Sequence, residues 1–380
     1  MTRRFRRPVV LPAVLLAVVA CIPAGCERRA EETEEETDQL ISPVVSPDGK
    51  SVGGIEKEGG KKYVVRDGKR VSKGYDQILG SRMSPDGDRT WTLAREGDKT
   101  TVLLDGEEVG THDAASSPMF APDGSLVYVA RAGGKQSVVK DGKPVGGSFD
   151  TVGRPKISRS GEIAFPASED GKAFVVRDGK RVSGEYLAAE EVKWSGDSLG
   201  FSAVMPGAGE NGEPAAVVVK DGKPVGKGYM RIERWAYGPG GDSVAYIAAV
   251  RHHQKVLVRD GRELGAPFRA TSVTTPIFSP DGRHVACAAG LNREWWIIKN
   301  GRPITDKISA QLVRDLIFSP DGSSLACTVR RGGKWFLWKD GSEGGDRFDA
   351  IKNLRNSEDR TKLVATGVRG RMAVPIEVEW

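Results

Sequence analysis

The chain has 380 residues and a formal net charge of +6, long enough for two ordinary domains or for one large repeat domain. Its 48 glycines are about 13% of the residues against a usual share of roughly 7%. They follow neither the third-position period of collagen nor the monotony of a polar linker, which excludes both classes and points to a fold with many tight turns.

Residues 1–20 read as a secretory signal. Arg3, Arg4, Arg6 and Arg7 form a basic head, and PVVLPAVLLAVVA is an apolar run of thirteen, short of the roughly twenty residues that a membrane-spanning helix needs. The end of this run resembles a bacterial lipobox, where a small residue precedes a lipid-bearing cysteine. VVAC points to Cys21; PAGC, followed at once by the polar ERRAEETEEETD, makes Cys26 the alternative. The resemblance implies a lipoprotein, exported and held to a membrane by its lipid, in the periplasm or at the cell surface. Residues 27–38 carry seven acids and two arginines, a charge of −5, so residues 21–38 are expected to be a self-repelling flexible tether. Residues 1–38 hold six of the 57 cations and seven of the 51 acids, so residues 39–380 keep 51 minus 44, or +7. On an exported, mildly basic chain, nucleic acid is not an expected partner.

From Gln39 onward the text repeats. VVRDGKRVSKGYD at Val64 returns as VVKDGKPVGGSFD at Val138, VVRDGKRVSGEY at Val175 and VVKDGKPVGKGY at Val218. The first residue of the Asp-Gly pair, or its equivalent, stands at Asp67, Asp105, Asp141, Asp178, Asp221, Asp260, Asn300 and Asp340, in steps of 38, 36, 37, 43, 39, 40 and 40. A second box, SPDG or a relative, precedes each, at Ser46, Ser84, Ala121, Ser158, Ser195, Gly238, Ser279 and Ser319, and a worn ninth copy starts at Ser357. Runs such as LVYVA, SVAYIA and HVACAA are short, β-branched and aromatic, and each precedes a break and then a run such as VVVKDG or WWIIKNG. Every element is therefore expected to be a strand. Asp-Gly suits a two-residue type I′ hairpin turn, whose central residues both need positive φ. SPDG makes the earlier turn, proline fixing φ and glycine closing the bend.

Four short strands per unit of about forty residues form the pattern of a β-propeller, in which a unit buries its faces only against its neighbours. The boxes at Ser46, Ser84, Ser279 and Ser319 resemble those of the WD-like, TolB-type propeller repeats; SRSG, WSGD and GPGG are weaker copies. The resemblance implies an all-β propeller over residues 39–380, with eight blades expected and nine or seven as alternatives. TDQLISPVVSPDG at Thr37 aligns with YDQILGSRMSPDG at Tyr75. DQLI, Asp38 to Ile41, is accordingly expected to be the outer strand that completes a blade shared with the C-terminal segment.

Catalytic chemistry is hard to find. His252 and His253 are adjacent, and extended geometry would aim them at opposite faces and away from one metal. GKSVG, Gly49 to Gly53, matches G-x-S-x-G but lies inside a box rather than between a strand and a helix. SPDGDRTW, Ser84 to Trp91, resembles an Asp-box of sialidase-type propellers, with Asp88 where glycine is expected; in that family the box is a structural turn. Cys287 and Cys327 are one period apart and are expected to be core residues, because equivalent positions in neighbouring blades exceed the roughly 7 Å Cα spacing of a disulfide.

Cations flank the Asp-Gly turns at Arg66, Lys69, Lys140, Lys143, Arg177, Lys180, Lys220, Lys223, Arg259, Arg262, Lys299 and Arg302. They protect strand edges or dock an acidic partner, with Lys140, Arg177 and Lys220 as binding candidates. The segment MPGAGENGEP, residues 205–214, accounts for the longest step and adds Met205, Glu210, Asn211 and Glu213 as candidates. These features lead to an expected monomeric, lipid-anchored, non-catalytic scaffold of the cell envelope, with an envelope protein or anionic glycan as partner and no cofactor or metal. The alternative is a propeller hydrolase or lyase acting on carbohydrate, which would need a pair of acids about 5 to 10 Å apart.

Overall fold

The computed structural model describes the backbone of residues 41–45 and the whole of residues 51–380. The expected signal and tether, with Cys21 and Cys26, lie outside the described residues. Nine antiparallel sheets succeed one another through the folded unit Gln39–Trp380, at residues 41–70, 77–112, 114–144, 151–181, 188–224, 231–269, 272–309, 312–343 and 350–379. Strand order within a sheet is chain order. In the second sheet Gln77–Met83, Thr90–Glu96, Lys99–Leu104 and Glu107–His112 pair in that sequence. In the other sheets the fourth strand is often only two residues, after which a single aromatic residue resumes the ladder: Tyr75 with Lys62, Phe149 with Gln136, Tyr229 with Ala216. Asp67 at φ 48° and Gly68 at φ 76° form the expected turn with two positive φ values. The chain is thus an all-β propeller of successive four-stranded units.

The packing explains why the second strands read as continuous apolar runs. Side chains alternate across a strand, and here both faces are covered. In the third sheet Leu126, Tyr128 and Ala130 pack against Leu93 and Val102 of the second, whereas Val127 and Val129 pack against Phe165 and Phe174 of the fourth. The same alternation continues to the ninth sheet, where Leu363 and Ala365 meet Trp335 and Leu337 of the eighth. Cys287 and Cys327 are both free and fully buried in successive clusters, and burial pushes the Cys287 thiol up to about 12.

A polar tie recurs where one sheet hands the chain to the next. The residue after the bridging aromatic is Asp76, Asp150 or Asp349, and Asp113 holds the same place after the longer fourth strand Glu107–His112. One carboxylate oxygen accepts from the lysine that starts the preceding third strand: Lys61 at 2.8 Å, Lys99 at 2.6 Å, Lys135 at 2.6 Å, Lys334 at 2.5 Å. The other accepts a backbone N–H in the hairpin of the following sheet, from Gly97, Gly133, Asp170 or Gly370 at 2.7 to 2.9 Å.

Nine sheets are laid out, one more than the eight expected and the number kept as an alternative. One expectation is corrected. Ile41 pairs with Ile55 in the first sheet, which has its own four strands, while the ninth has three. After the aromatic bridge at Tyr75 the chain has left its sheet, and Gln77 opens the next one. DQLI therefore leads into the first strand of a new sheet, and its Asp38–Leu40 part lies outside the described residues.

Candidate binding surfaces

Antiparallel order places the SPDG boxes and the Asp-Gly turns at one end of the sheets and the hairpins between second and third strands at the other. The cations before each Asp-Gly turn are half-buried and committed. Lys140 is 2.8 Å from Asp123; Arg177 pairs with Glu162 at 2.6 Å and lies over the Trp194 ring; Lys220 donates to the Asp242 carbonyl at 2.6 Å. Arg66 reaches the Asp88 carbonyl at 2.8 Å and Arg259 the Arg283 carbonyl at 3.0 Å. These side chains tie strands to boxes. The cations after the turn, Lys69, Lys143, Lys180, Lys223, Arg262 and Arg302, are exposed on the short outer strands, where they blunt sheet edges.

The loop of residues 205–214 is ordered by its own bonds. Gly209 N–H donates to the Glu213 carbonyl at 2.9 Å, Gly212 N–H to the Gly209 carbonyl at 3.1 Å, and Asn211 N–H to the Glu213 carboxylate at 2.9 Å. Met205 and Ala208 pack against the core between the fourth and fifth sheets, while Glu210 is exposed. At the next hairpin His253 takes φ 60°, and the rings of His252 and His253 stack with centroids 4.3 Å apart. The expected opposite orientation fails because the pair occupies a turn. His112 is half-buried against the Tyr128 hydroxyl at 3.2 Å, and burial lowers its pKa. Ser51 of GKSVG donates to Asp67 at 3.3 Å and immediately precedes the strand Val52–Glu58, with no helix after it as a nucleophile turn requires.

The first strands of neighbouring sheets meet each other at the box end. Trp194 Nε1 donates to the Lys156 carbonyl at 3.1 Å, Lys193 Nζ to the Trp235 carbonyl at 2.5 Å, and Asn356 Nδ2 to the Phe318 carbonyl at 3.3 Å. Two cavities open there. One of about 400 Å³ joins sheets four to seven and is lined by Lys156, Lys193, Trp194, Trp235, Tyr237 and Thr275 among others. The second, about 610 Å³, joins sheets six to nine around Tyr237, Thr275, Phe278, Phe318 and Asn356. None of the residues lining either cavity is acidic.

The nine first-strand segments carry Arg82, Arg154, Lys156, Lys193, Arg231, Arg234, Arg314, Lys352 and Arg355 against Glu190, Glu191, Glu233 and Asp315. Nine minus four is +5, most of the +7 of residues 39–380. Lys193 lies over the Trp235 ring at 4.4 Å and 3.5 Å from Glu191, and burial lowers its pKa, with Arg234 and Lys156 adding repulsion. Lys156 is exposed and its ammonium has no partner among the described residues. Sequence reading missed this lining, although Lys156, Lys193 and Trp194 stand one or two residues ahead of their boxes and the signal was available there.

No family model matches the sequence, and no curated protein is similar to it. Among solved structures the chain is similar to a eukaryotic initiation factor, at 11% identity over 86% of this chain and 95% of that one with a TM-score of 0.49. It is also similar to the Dos1 propeller, at 11% over 90% and 92% with 0.39. TolB from Acinetobacter baumannii matches at 15% over 65% and 75% with 0.31. At these identities the likeness is one of fold.

Proposed function

We propose that this chain is a non-catalytic scaffold, anchored in the cell envelope by lipid on Cys21 or Cys26, whose box-end surface holds an anionic envelope partner. The observation that carries the reading is the cationic and aromatic lining where the first strands converge. Two cavities with no acidic side chain offer no carboxylate pair for glycoside hydrolysis, which favours the scaffold over the hydrolase. A cluster of cations in a partly desolvated recess instead raises the local concentration of an anion and steers its approach, more strongly at low salt. Flat aromatic faces such as Trp194 add contact area. A polyuronate, as an anionic glycan probe, is expected to bind in a salt-dependent way while dextran does not. Lys156→Gln together with Arg234→Gln should weaken that binding at least tenfold without lowering the melting temperature. Equal binding of dextran, or full binding by the double variant, overturns the assignment. The anchor has its own test: palmitate labelling should be abolished by replacing Cys21 and Cys26 together, and an unlabelled wild-type chain would leave plain secretion.

A further inference from the structure

The polar tie between successive sheets is missing at three adjacent junctions, and at two of these an exposed apolar residue stands in place of the aspartate. At the position of Asp76, Asp113, Asp150 and Asp349 the junction into the sixth sheet has Met230, and the junction into the fifth has Leu187. The remaining two keep polar residues: Thr271, and Gln311, whose Oε1 still accepts from the Gly333 N–H of the next hairpin at 3.1 Å. Leu187 and Met230 are 54% and 63% exposed. An exposed leucine or methionine contributes neither the ion pair nor the hydrogen bond that aspartate makes there, so the fold gains nothing from the exchange.

The hairpins that these residues would have bonded have changed with them. Leu187 precedes the sheet whose hairpin is the loop of residues 205–214, and Met230 precedes the one that carries His252 and His253. The loop reaches the second junction as well: a Cβ on Gly228, two residues before Met230, would lie 2.5 Å from the Ala208 carbonyl. Between the two junctions opens a cavity of about 320 Å³, with Ala188, Ala203, Ala216 and Ile232 in its wall and Met230 and Glu190 also lining it. Its volume is at the low end of ligand sites and suits one large side chain. Arg231, on the same wall, is taken by Glu233 at 2.6 Å. The Glu190 carboxylate has no partner among the described residues, and neither has Glu210 on the loop. Glu233 is shared by Arg231 and the buried Lys255, so among the described residues Glu190 is the one carboxylate on the cavity wall left without a partner.

We propose that this hairpin-end surface of the fifth and sixth sheets docks a protein segment, which seats one bulky apolar side chain in the cavity beside Met230 and sets a lysine or arginine against Glu190. The site is separate from the anion-binding surface proposed at the box end. The anchor residue supplies buried apolar area, the flanking cation supplies register and selectivity.

Selection of a displayed library of random twelve-residue peptides on the intact folded chain tests this directly. Enriched peptides should share an aromatic or large aliphatic residue with Lys or Arg within two positions. Their affinity should fall at least tenfold on Leu187→Asp with Met230→Asp, and Glu190→Lys should select acidic flanks instead. Both altered apolar residues are exposed, so melting temperatures should be retained, and Met230→Ala gives a milder second variant. Peptides that keep full affinity for the double aspartate variant overturn the proposal, including any that respond only to Lys156→Gln. So does a library that yields no peptide above the bare support. Self-association of the wild-type chain that the aspartate variant abolishes would assign the surface to a second copy and would equally overturn it.

Discussion

The aspartate of each Asp-Gly turn does more than permit a positive φ. Its carboxylate accepts an N–H at the start of the second strand of the same sheet: Thr90 N–H donates to Asp105 at 2.7 Å, and Leu199 N–H to Asp221 and Leu325 N–H to Asp340 at 2.8 Å. Asn300 does the same for Val285 at 2.9 Å, so an amide oxygen suffices. Asp221→Asn should therefore be close to neutral. Asp221→Ala strands the N–H of the buried Leu199 and should cost about 1–2 kcal/mol in urea unfolding. The boxes add a pH dependence. Hydrogen bonds from Ser84, Ser279 and Ser357, and then from backbone N–H groups, hold the Asp86, Asp281 and Asp359 carboxyls below the usual range, and the Ser319 hydroxyl is the first cause of holding Asp321 at about 2. A folded pKa below the unfolded one gives stability that is complete above the unfolded value near 3.9 and is lost as pH falls through the folded one. Melting temperature should accordingly drop between about pH 4 and pH 2. Ser279→Ala with Ser319→Ala should melt lower than wild type at pH 6, by a margin that narrows toward pH 2.

At the scale of elements, the unit of cohesion is the junction between sheets. Each tie combines an exposed ion pair, worth little by itself, with a hydrogen bond into the next hairpin. Asp113→Leu copies the junction found at Leu187 and leaves Lys99 and the Gly133 N–H unpaired. We expect a small drop in melting temperature, of the size of other surface substitutions. A drop as large as that of a core truncation would mean that the junctions depend on more than the tie. The loop behaves differently. Replacing residues 206–214 by Gly-Gly-Lys should shift the melting temperature by no more than a few degrees, because closure entropy grows only with the logarithm of loop length. Met205 must stay, since it packs on the core of the fourth and fifth sheets.

At the scale of the molecule, nine sheets stabilise one another in series, an inner sheet burying its two faces against two neighbours. Damage to one sheet is therefore shared by the next. Removing residues 344–380 would strip Ile351, Leu363 and Ala365 from Trp335 and Leu337. The truncated chain should scatter light and bind a hydrophobic dye at temperatures where the full chain does not. Soluble, cooperative melting of the truncated chain would show that the eighth sheet can end the series without a cover.

The repeat, the all-β class, the turn type and the order of strands within a unit were all legible in the sequence. They rest on local chemistry: period-two alternation, proline and glycine at fixed offsets, and Asp-Gly where both φ values are positive. What the sequence could not show is where one sheet ends and the next begins, because that depends on which strand pairs with which; hence the sheet count and the placing of Ile41 waited for the ladder. Gly301 shows the same division. Its positive φ follows from Asn-Gly in a hairpin, but only packing reveals that a Cβ there would lie 1.8 Å from the Leu264 carbonyl of the preceding sheet. Lys140, Arg177 and Lys220 read as a surface band by position, and the tertiary structure turned them inward onto the boxes. Lys156, Lys193, Leu187 and Met230 stand about forty residues from their equivalents and read as ordinary residues of a repeat; only the stacking of sheets brings the two lysines near each other at one end and places Met230 on a cavity wall at the other, because contacts between repeats are made through space and leave no local pattern.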